Sequence, residues 1–237
     1  MSDVPGLGRR TAVQSESKVN PIDFGDLRRM APISRKAEFD RGTPVDRYYV
    51  DWFLGSRADD IRGRVLEIGD GTYTRLGGGR VTQSDVVALS VDSPSSVVDH
   101  LDALARDCSS AFDCVILPQT LHTIFDVPAA IRATYRVLKP EGVVLATCPG
   151  ISRLSSDPDT DPQCWNFTSR SARRQFGEVF PADRVSVVVR GNVLAAVALM
   201  HGLAVEELTA AELTHVDPDY ELMIGVRASR PGSDTSI

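Results

Sequence analysis

The chain has 237 residues, of which 42% are hydrophobic, and a formal net charge of −6. This length and composition suit one α/β domain with an N-terminal extension and exclude a chain that is disordered throughout. The acidic balance argues against nucleic-acid binding, because neutralising phosphates requires a basic face and no block of Lys and Arg occurs. A small-molecule or protein partner is favoured, and a homodimer is left open.

We expect a cytoplasmic protein that does not enter a membrane. No charged and then apolar leader opens the chain. The most apolar region, residues 185–205, is interrupted by Arg190, Gly191, Asn192 and His201, well short of a membrane span. The four cysteines form no Cys-x-x-Cys pair and have no histidines at zinc-ligand spacing, which favours reduced thiols over a metal site.

The predicted elements start after a polar leader. Residues 1–42 are expected to be a partly mobile leader, residues 43–230 a folded domain, and residues 231–237 a tail. The first helix is predicted at "GTPVDRYYVDWFL". Thr43 is expected to cap it, and Pro44 suits the first helical position.

Strand-like and helix-like segments then alternate, which is typical of a doubly wound, mostly parallel α/β sheet with helices on both faces. Seven strands are predicted, near residues 64–68, 81–87, 95–98, 112–117, 143–148, 185–189 and 220–228. The clearest later helix is "DVPAAIRATYRVL", capped by Asp126. Two more are predicted, at 169–178, capped by Thr168 or Ser169, and at about 191–205.

The stretch "RVLEIGDGTYTRLGGG" places Gly69 and Gly71 directly after the first strand. Ligands of open α/β sheets bind outside the carboxyl ends of the strands, and glycines let a ligand approach the backbone. A dinucleotide fingerprint requires a third glycine where Thr74 stands, which weakens an NAD interpretation. Glu67 ends a buried strand, so it indicates either a cofactor site or an internal salt bridge. Asp85, at the end of the second strand, is either a ribose ligand or a turn residue.

The order of these segments carries a family resemblance. "VLEIGDG", "SDVV" and "FDCVILPQTLHTIFDVPAAIRATYRVLKPEGVVLATCPG" together resemble the class I S-adenosylmethionine-dependent methyltransferases over about residues 44–229. "PDYELMIGVRAS" is similar to the antiparallel last strand of that family. "FDRGTPVDRYY", "EIGDGTYTR" and "CWNFTSRSARRQFGEVFP" resemble a bacterial subgroup associated with glycan and natural-product pathways. The resemblance implies a Rossmann-like fold with a seven-stranded sheet, S-adenosylmethionine as cofactor, and methyl transfer to a small molecule at a hydroxyl of a sugar or natural product.

The same resemblance implies where the cofactor binds. The implied residues are Glu67, Gly69, Asp70 and Gly71 for the methionine-binding turn, Asp85 for the ribose, His100 and Leu101 for the adenine, and Gln119 for the floor of the site. Tyr48 and Tyr49, with Arg41, are expected to close over the cofactor and meet its carboxylate, although ordinary docking of the helix on the sheet is an alternative for one of the two tyrosines. Two residues depart from the family pattern. Tyr73 replaces a third glycine, so it widens the turn or stacks on the ligand, and His100 replaces an acid.

His122 is the predicted general base, because "QTLH" follows the fourth strand and an imidazole accepts a proton near neutral pH. The alternative is a hydrogen-bonded, inert histidine. His215 is a second candidate, and His201 is expected to be structural. Trp165 and Phe167 form either an apolar substrate wall or an anchor that fixes the long loop to the core.

Other functions stay open at this point. One is a protein that binds S-adenosylmethionine without transferring methyl, or that reuses the fold for another reaction. Another is an N- or C-methyltransferase of a secondary metabolite. An NAD-binding oxidoreductase is disfavoured, because this chain lacks the third glycine of the dinucleotide fingerprint. A metal-dependent catechol-type enzyme is disfavoured because "LPQTLH" carries no carboxylate.

Overall fold

The computed structural model describes residues 23, 25, 28–35, 40–87, 96–107, 109–154 and 163–232. By its internal contacts the chain divides into two units, Met1–Ala31 and Pro32–Ile237, and every element below lies in the second. The strands are β1 Gly63–Ile68, β2 Val81–Val87, β3 Phe112–Leu117, β4 Leu138–Pro149, β5 Val185–Arg190 and β6 Met223–Ser229. The helices are α1 Val45–Gly55, α2 Ser96–Asp107, α3 Val127–Val137, α4 Ser169–Gly177, α5 Val193–His201 and α6 Ala210–Thr214.

The strands form one sheet in the order β2-β1-β3-β4-β6-β5. β1 is parallel to β2 and to β3, and β3 is parallel to β4. β6 is antiparallel to both of its neighbours, β4 and β5. The predicted doubly wound, mostly parallel α/β sheet with an antiparallel last strand is therefore confirmed, with six strands in the described residues where seven were expected.

The strand predicted near 95–98 accounts for the difference. That prediction is wrong, because α2 begins at Ser96. Leu101 is fully buried, and Val98, Leu104 and Ala105 pack around the same core. These apolar positions recur every three or four residues, which is the spacing of a helix face and not that of a strand. The short run of valines indicated a strand only when it was considered apart from the residues that follow it.

Helices cover both faces of the sheet, so each face buries its own apolar cluster. Side chains of a strand point alternately to opposite faces. Leu66 and Ile68 of β1 face the cluster that contains residues of α2, α3 and α4. Val65 faces the cluster that contains residues of α1, α5 and α6. None of the helices in the described part of the chain combines the length and apolar character that crossing a membrane requires.

Side-chain caps begin four of the described helices, one of them α6, which Thr209 caps. Asp126 accepts a hydrogen bond from the Ala129 N–H, and Thr168 accepts one from the Ser171 N–H, as predicted. Asn192 caps α5, which ends at His201 before Gly202 and is therefore shorter than predicted. These caps satisfy donors that a helix start leaves without an intrahelical partner.

The predicted cap of α1 is wrong, because the polar groups of Thr43 are bonded elsewhere. Its hydroxyl donates to Glu206 Oε1 and its N–H to Glu206 Oε2, each at 2.9 Å. The Thr43 carbonyl accepts from the Val205 N–H at 2.8 Å, and Pro44 forms a β-bridge with Ala204. The segment that leads into α1 is thereby joined to the segment that follows α5.

Candidate functional site

The chain turns sharply where β1 ends, and Glu67 holds that turn. Its fully buried carboxylate accepts the Tyr73 N–H at 3.2 Å, and the Thr74 N–H and hydroxyl at 2.7 Å each. Three hydrogen bonds compensate a carboxylate for the loss of water. The sequence allowed an internal salt bridge for Glu67, and the structure replaces it with hydrogen bonds from the turn. Both carboxylate oxygens accept from residues of the turn and thereby fix its shape.

The glycines give the turn its conformation and leave space beside it. Gly69 has φ of +148° and Gly71 has φ of +79°, both in the region that favours glycine. A Cβ on Gly69 would come no nearer than 3.8 Å to Glu67 Oε1 and Pro118 Cγ, whereas one on Gly71 would lie 3.1 Å from Val86 Cγ2. The gap left by the absent Cβ of Gly69 therefore lies beside Pro118, directly after β3.

Asp70 lies at the exposed tip of this turn. Its Oδ1 accepts the Thr72 N–H at 2.9 Å. Hydrogen bonds from the Thr72 side chain and backbone lower the pKa of Asp70, so the carboxylate is ionised at neutral pH. The tip of the turn therefore presents a negative charge to solvent.

Gln119 follows β3 at the same edge of the sheet. It adopts φ of +47°, which is uncommon for a residue with a side chain. Its N–H donates to Thr147 Oγ1 of the neighbouring strand β4 at 2.9 Å. Such strained conformations persist where the surrounding structure fixes them, and they concentrate at functional sites. Thr147, which sequence reasoning missed, is fully buried and carries no motif that would reveal this role.

His122 lies three residues further on, in a short 3-10 turn over Leu121–Thr123. Its carbonyl accepts the N–H groups of Cys164 at 2.7 Å and Trp165 at 3.1 Å. Its Nδ1 is buried and has no hydrogen-bond partner among the described residues. Burial lowers the pKa of His122 to about 4, because a charged imidazolium is poorly solvated there. The ring is therefore neutral at pH 7.

Asp85 is paired with a cation. Its carboxylate accepts from Arg64 Nε at 2.8 Å and from Arg64 Nη2 at 3.3 Å. Asp85 is level with Leu66 in the sheet, and β2 continues to Val87. The structure thus places this carboxylate one side-chain layer below the end of the strand, with Arg64 as its partner. The predicted ribose contact of Asp85 stays a prediction, and residues 88–95 lie outside the described residues.

The two residues predicted to flank the adenine both lie on α2, and the structure separates them. Leu101 is fully buried in the core, whereas His100 is exposed. Leu101 packs against the sheet because it shares the apolar face of α2. The predicted adenine contact of His100 and Leu101 stays a prediction.

Tyr73 is turned toward α1. Its ring is 4% exposed, its hydroxyl donates to Asp51 Oδ1 at 2.8 Å, and the guanidinium of Arg47 lies 5.1 Å from the ring centre. Arg47 also forms an ion pair with Asp51 at 3.2 Å. The predicted stacking of Tyr73 on a ligand is replaced by a link between α1 and the glycine turn, because the buried ring packs in the core of that face.

Tyr49 and Arg41 also have protein partners. The buried hydroxyl of Tyr49 donates to the Leu213 carbonyl at 2.9 Å, and burial raises the pKa of this side chain to about 12. Arg41 is bonded to both carboxylate oxygens of Glu207. The alternative of ordinary helix docking therefore describes Tyr49, and the structure does not bring either residue to the turn as an available donor.

The long loop after β4 returns to the site as residues 163–168. Phe167 is 5% exposed and packs in the core, so it is the anchor of this segment. Trp165 is 40% exposed and faces outward. Among the described residues, no group of three or more His, Cys, Asp or Glu side chains is suited to a metal ion.

A doubly wound, mostly parallel sheet whose first strand leads into a glycine turn is a Rossmann-like architecture. Residues 72–146 match the family model described as a methyltransferase domain, a stretch that contains Gln119 and His122. This match indicates a methyltransferase enzyme that uses S-adenosylmethionine.

Solved structures similar to this chain include an S-adenosylmethionine-dependent methyltransferase from Archaeoglobus fulgidus, with 13% identity, a TM-score of 0.47, and coverage of 78% of this chain and 90% of that one. A putative methyltransferase from Thermobifida fusca YX has 17% identity, a TM-score of 0.46, and coverage of 80% and 81%. At these identities the likeness concerns the fold alone. Among curated protein sequences, none matches this chain.

Proposed function

We propose that this protein methylates a hydroxyl of a small molecule, a sugar or natural product, with the glycine turn holding the amino-acid end of S-adenosylmethionine and His122 serving as general base. The observation that carries the proposal is the convergence of the turn, Gln119 and His122 at one edge of the sheet, where ligands of such sheets bind. The bacterial subgroup associated with glycan and natural-product pathways, which the sequence resembles, supports this choice of acceptor.

The residues at the turn fit the cofactor. Gly69 leaves open the space that a side chain would fill, and Glu67 keeps the backbone rigid around that space. The ionised carboxylate of Asp70 is a partner for an ammonium group. Gln119 is held in a strained conformation by Thr147, which fixes the floor below the gap.

When bound, S-adenosylmethionine supplies a methyl group that is already activated by a positively charged sulfur. The contribution of the chain is alignment of the acceptor and exclusion of water. His122 is neutral at pH 7, so its ring accepts the proton that the acceptor hydroxyl gives up. A base with a pKa of about 4 is a weak one, and its contribution is expected at about 10²-fold, the lower end of the usual range.

The binding part of the proposal is tested by calorimetric titration with S-adenosylhomocysteine. Gly69→Ala fills the gap and is expected to weaken binding at least about tenfold. Gly25→Ala is the matched control, because Gly25 also has a positive φ, of +46°, and a Cβ there meets nothing within 4 Å. Equal affinity in the two variants, or no binding to the unmodified protein, would contradict the proposal.

The catalytic part is tested by following transfer of labelled methyl groups to a panel of sugars and phenolic natural products. His122→Gln is expected to slow transfer about 10²-fold while S-adenosylhomocysteine affinity stays within about twofold. His215→Gln tests the second candidate base, which is exposed directly after α6, and it is expected to keep the full rate. Transfer by His122→Gln at the full rate removes His122 from the reaction.

A further inference from the structure

Two aromatic side chains near His122 remain open to solvent. Phe125 is 78% exposed and Trp165 is 40% exposed. Their ring centres lie 5.6 Å apart and their planes are inclined by 33°. Exposed apolar side chains that occur singly need no explanation, but two aromatic rings that face solvent together beside a candidate active site form a surface suited to a ligand.

The pair is held in place by hydrogen bonds that do not involve the ring faces. The Trp165 indole N–H donates to the carbonyls of Ile124 at 3.1 Å and Phe125 at 3.2 Å. The Trp165 backbone N–H donates to the His122 carbonyl, and Phe167 anchors the same segment in the core. The indole N–H thus has its acceptors. Because the ring is already fixed, binding of a ligand to its face costs little side-chain entropy.

The segment that carries Trp165 also borders a cleft of about 510 Å³, a volume suited to a small molecule. Polar and charged side chains line this cleft, among them Asn166, Thr168, Arg170, Asp219 and Glu221. The aromatic pair and the cleft therefore offer complementary chemistry on one segment: ring faces for apolar surface, and polar groups for hydroxyls.

We propose that Phe125 and Trp165 bind the methyl acceptor by stacking on a flat apolar ring face. The inference rests on the proposed function and adds to it the class of acceptor. Two kinds of molecule present such a face together with a hydroxyl: a phenolic aromatic ring and the C–H face of a pyranose sugar. The His122 carbonyl accepts from the backbone N–H groups of Cys164 and Trp165, which keeps the segment of Trp165 next to the candidate base. The hydroxyl that loses its proton is accordingly assigned to the same ring system.

The test uses calorimetry on the full chain saturated with S-adenosylhomocysteine, with 4-methylumbelliferone and methyl β-D-glucopyranoside as probes. Phe125→Ala is expected to weaken binding of the preferred probe about threefold to tenfold, because an aromatic stacking contact is lost. Phe125→Tyr keeps the ring and is expected to keep the affinity. Val193→Ala is the matched control, since Val193 is an apolar side chain of α5 that is 51% exposed.

The probe that loses affinity in Phe125→Ala identifies the acceptor as phenolic or as a sugar. Affinities of Phe125→Ala that equal those of the unmodified protein for both probes would overturn the proposal, as would the failure of both probes to bind a protein that binds S-adenosylhomocysteine. A protein that does not bind S-adenosylhomocysteine would instead overturn the proposed function itself. Because Phe125 is so exposed, its substitution is not expected to disturb folding.

Discussion

Glu67→Gln is the substitution that separates the role of the turn from the role of its ligand. Glu67 Oε2 accepts two hydrogen bonds from Thr74, and Oε1 accepts one from the Tyr73 N–H. A glutamine keeps its shape and one acceptor oxygen. If that oxygen stays on Thr74, the new NH2 group faces the N–H of Tyr73, and a hydrogen bond becomes a contact between two donors.

The magnitude follows from this geometry. A hydrogen bond to a charged group contributes about 1.5–3 kcal/mol, and a buried donor without an acceptor costs about 1–3 kcal/mol. In the opposite amide orientation the NH2 group faces the N–H of Thr74, which likewise leaves a buried donor without an acceptor. We therefore expect the free energy of unfolding to fall by about 3 kcal/mol, and S-adenosylhomocysteine affinity to fall because the turn is no longer fixed.

Urea denaturation followed by circular dichroism measures the first effect and calorimetry the second. A loss of about 3 kcal/mol corresponds to a midpoint lower by about 1 M in urea. Glu178→Gln is the control, because the Glu178 side chain is 61% exposed and lies 3.6 Å from Arg174, so its removal should change little. A Glu67→Gln protein within about 0.5 kcal/mol of the unmodified chain would refute the claim that Glu67 organises the turn.

Three further outcomes are expected. The folded-state pKa of His122, about 4, lies below its ordinary value, so the stability that depends on the neutral ring is fully present above about pH 6.5 and is lost as the pH falls toward 4. Between those two pH values the unmodified protein should therefore lose up to about 3 kcal/mol more unfolding free energy than His122→Gln, measured by urea titrations at each pH. Tyr73→Phe should lower the unfolding free energy by about 1 kcal/mol, and by less than half of that in an Asp51→Ala background, because the shared hydrogen bond is already absent. Gln119→Gly should leave the unfolding free energy within about 1 kcal/mol, since glycine accepts φ of +47°, yet should weaken S-adenosylhomocysteine binding in calorimetry if the side chain lines the floor.

Features set by neighbouring residues were predictable from the sequence. Asp126 and Thr168 cap their helices because a short polar side chain reaches an N–H three residues away, which is local geometry. The alternation of strands and helices predicts a parallel sheet because a helix is the usual crossover between parallel strands. The strand predicted near 95–98 failed because the burial of Leu101 depends on how α2 meets the sheet.

Features set by distant residues were not predictable. The hydroxyl of Tyr49 finds its acceptor 164 positions away, at Leu213, and the carboxylate of Asp85 finds Arg64 21 positions away. No spacing rule connects such pairs, so a ligand contact and a structural contact look alike in the sequence. For the same reason the sequence did not indicate a role for Phe125, because its contacts depend on where the segment of Trp165 is placed.

The connection between the entry to α1 and the segment after α5 sets how far the chain can be shortened for expression. Glu206 and Glu207 hold Thr43 and Arg41 across more than 160 positions of sequence, with Glu206 and Thr43 163 apart. A truncated protein that starts at Val45 would keep every turn of its first helix and still leave two acidic side chains without their partners. The N–H groups of Ile33 and Ser34 also donate to the His201 carbonyl, so trimming from the front has to stop before Ile33, although α1 itself begins later.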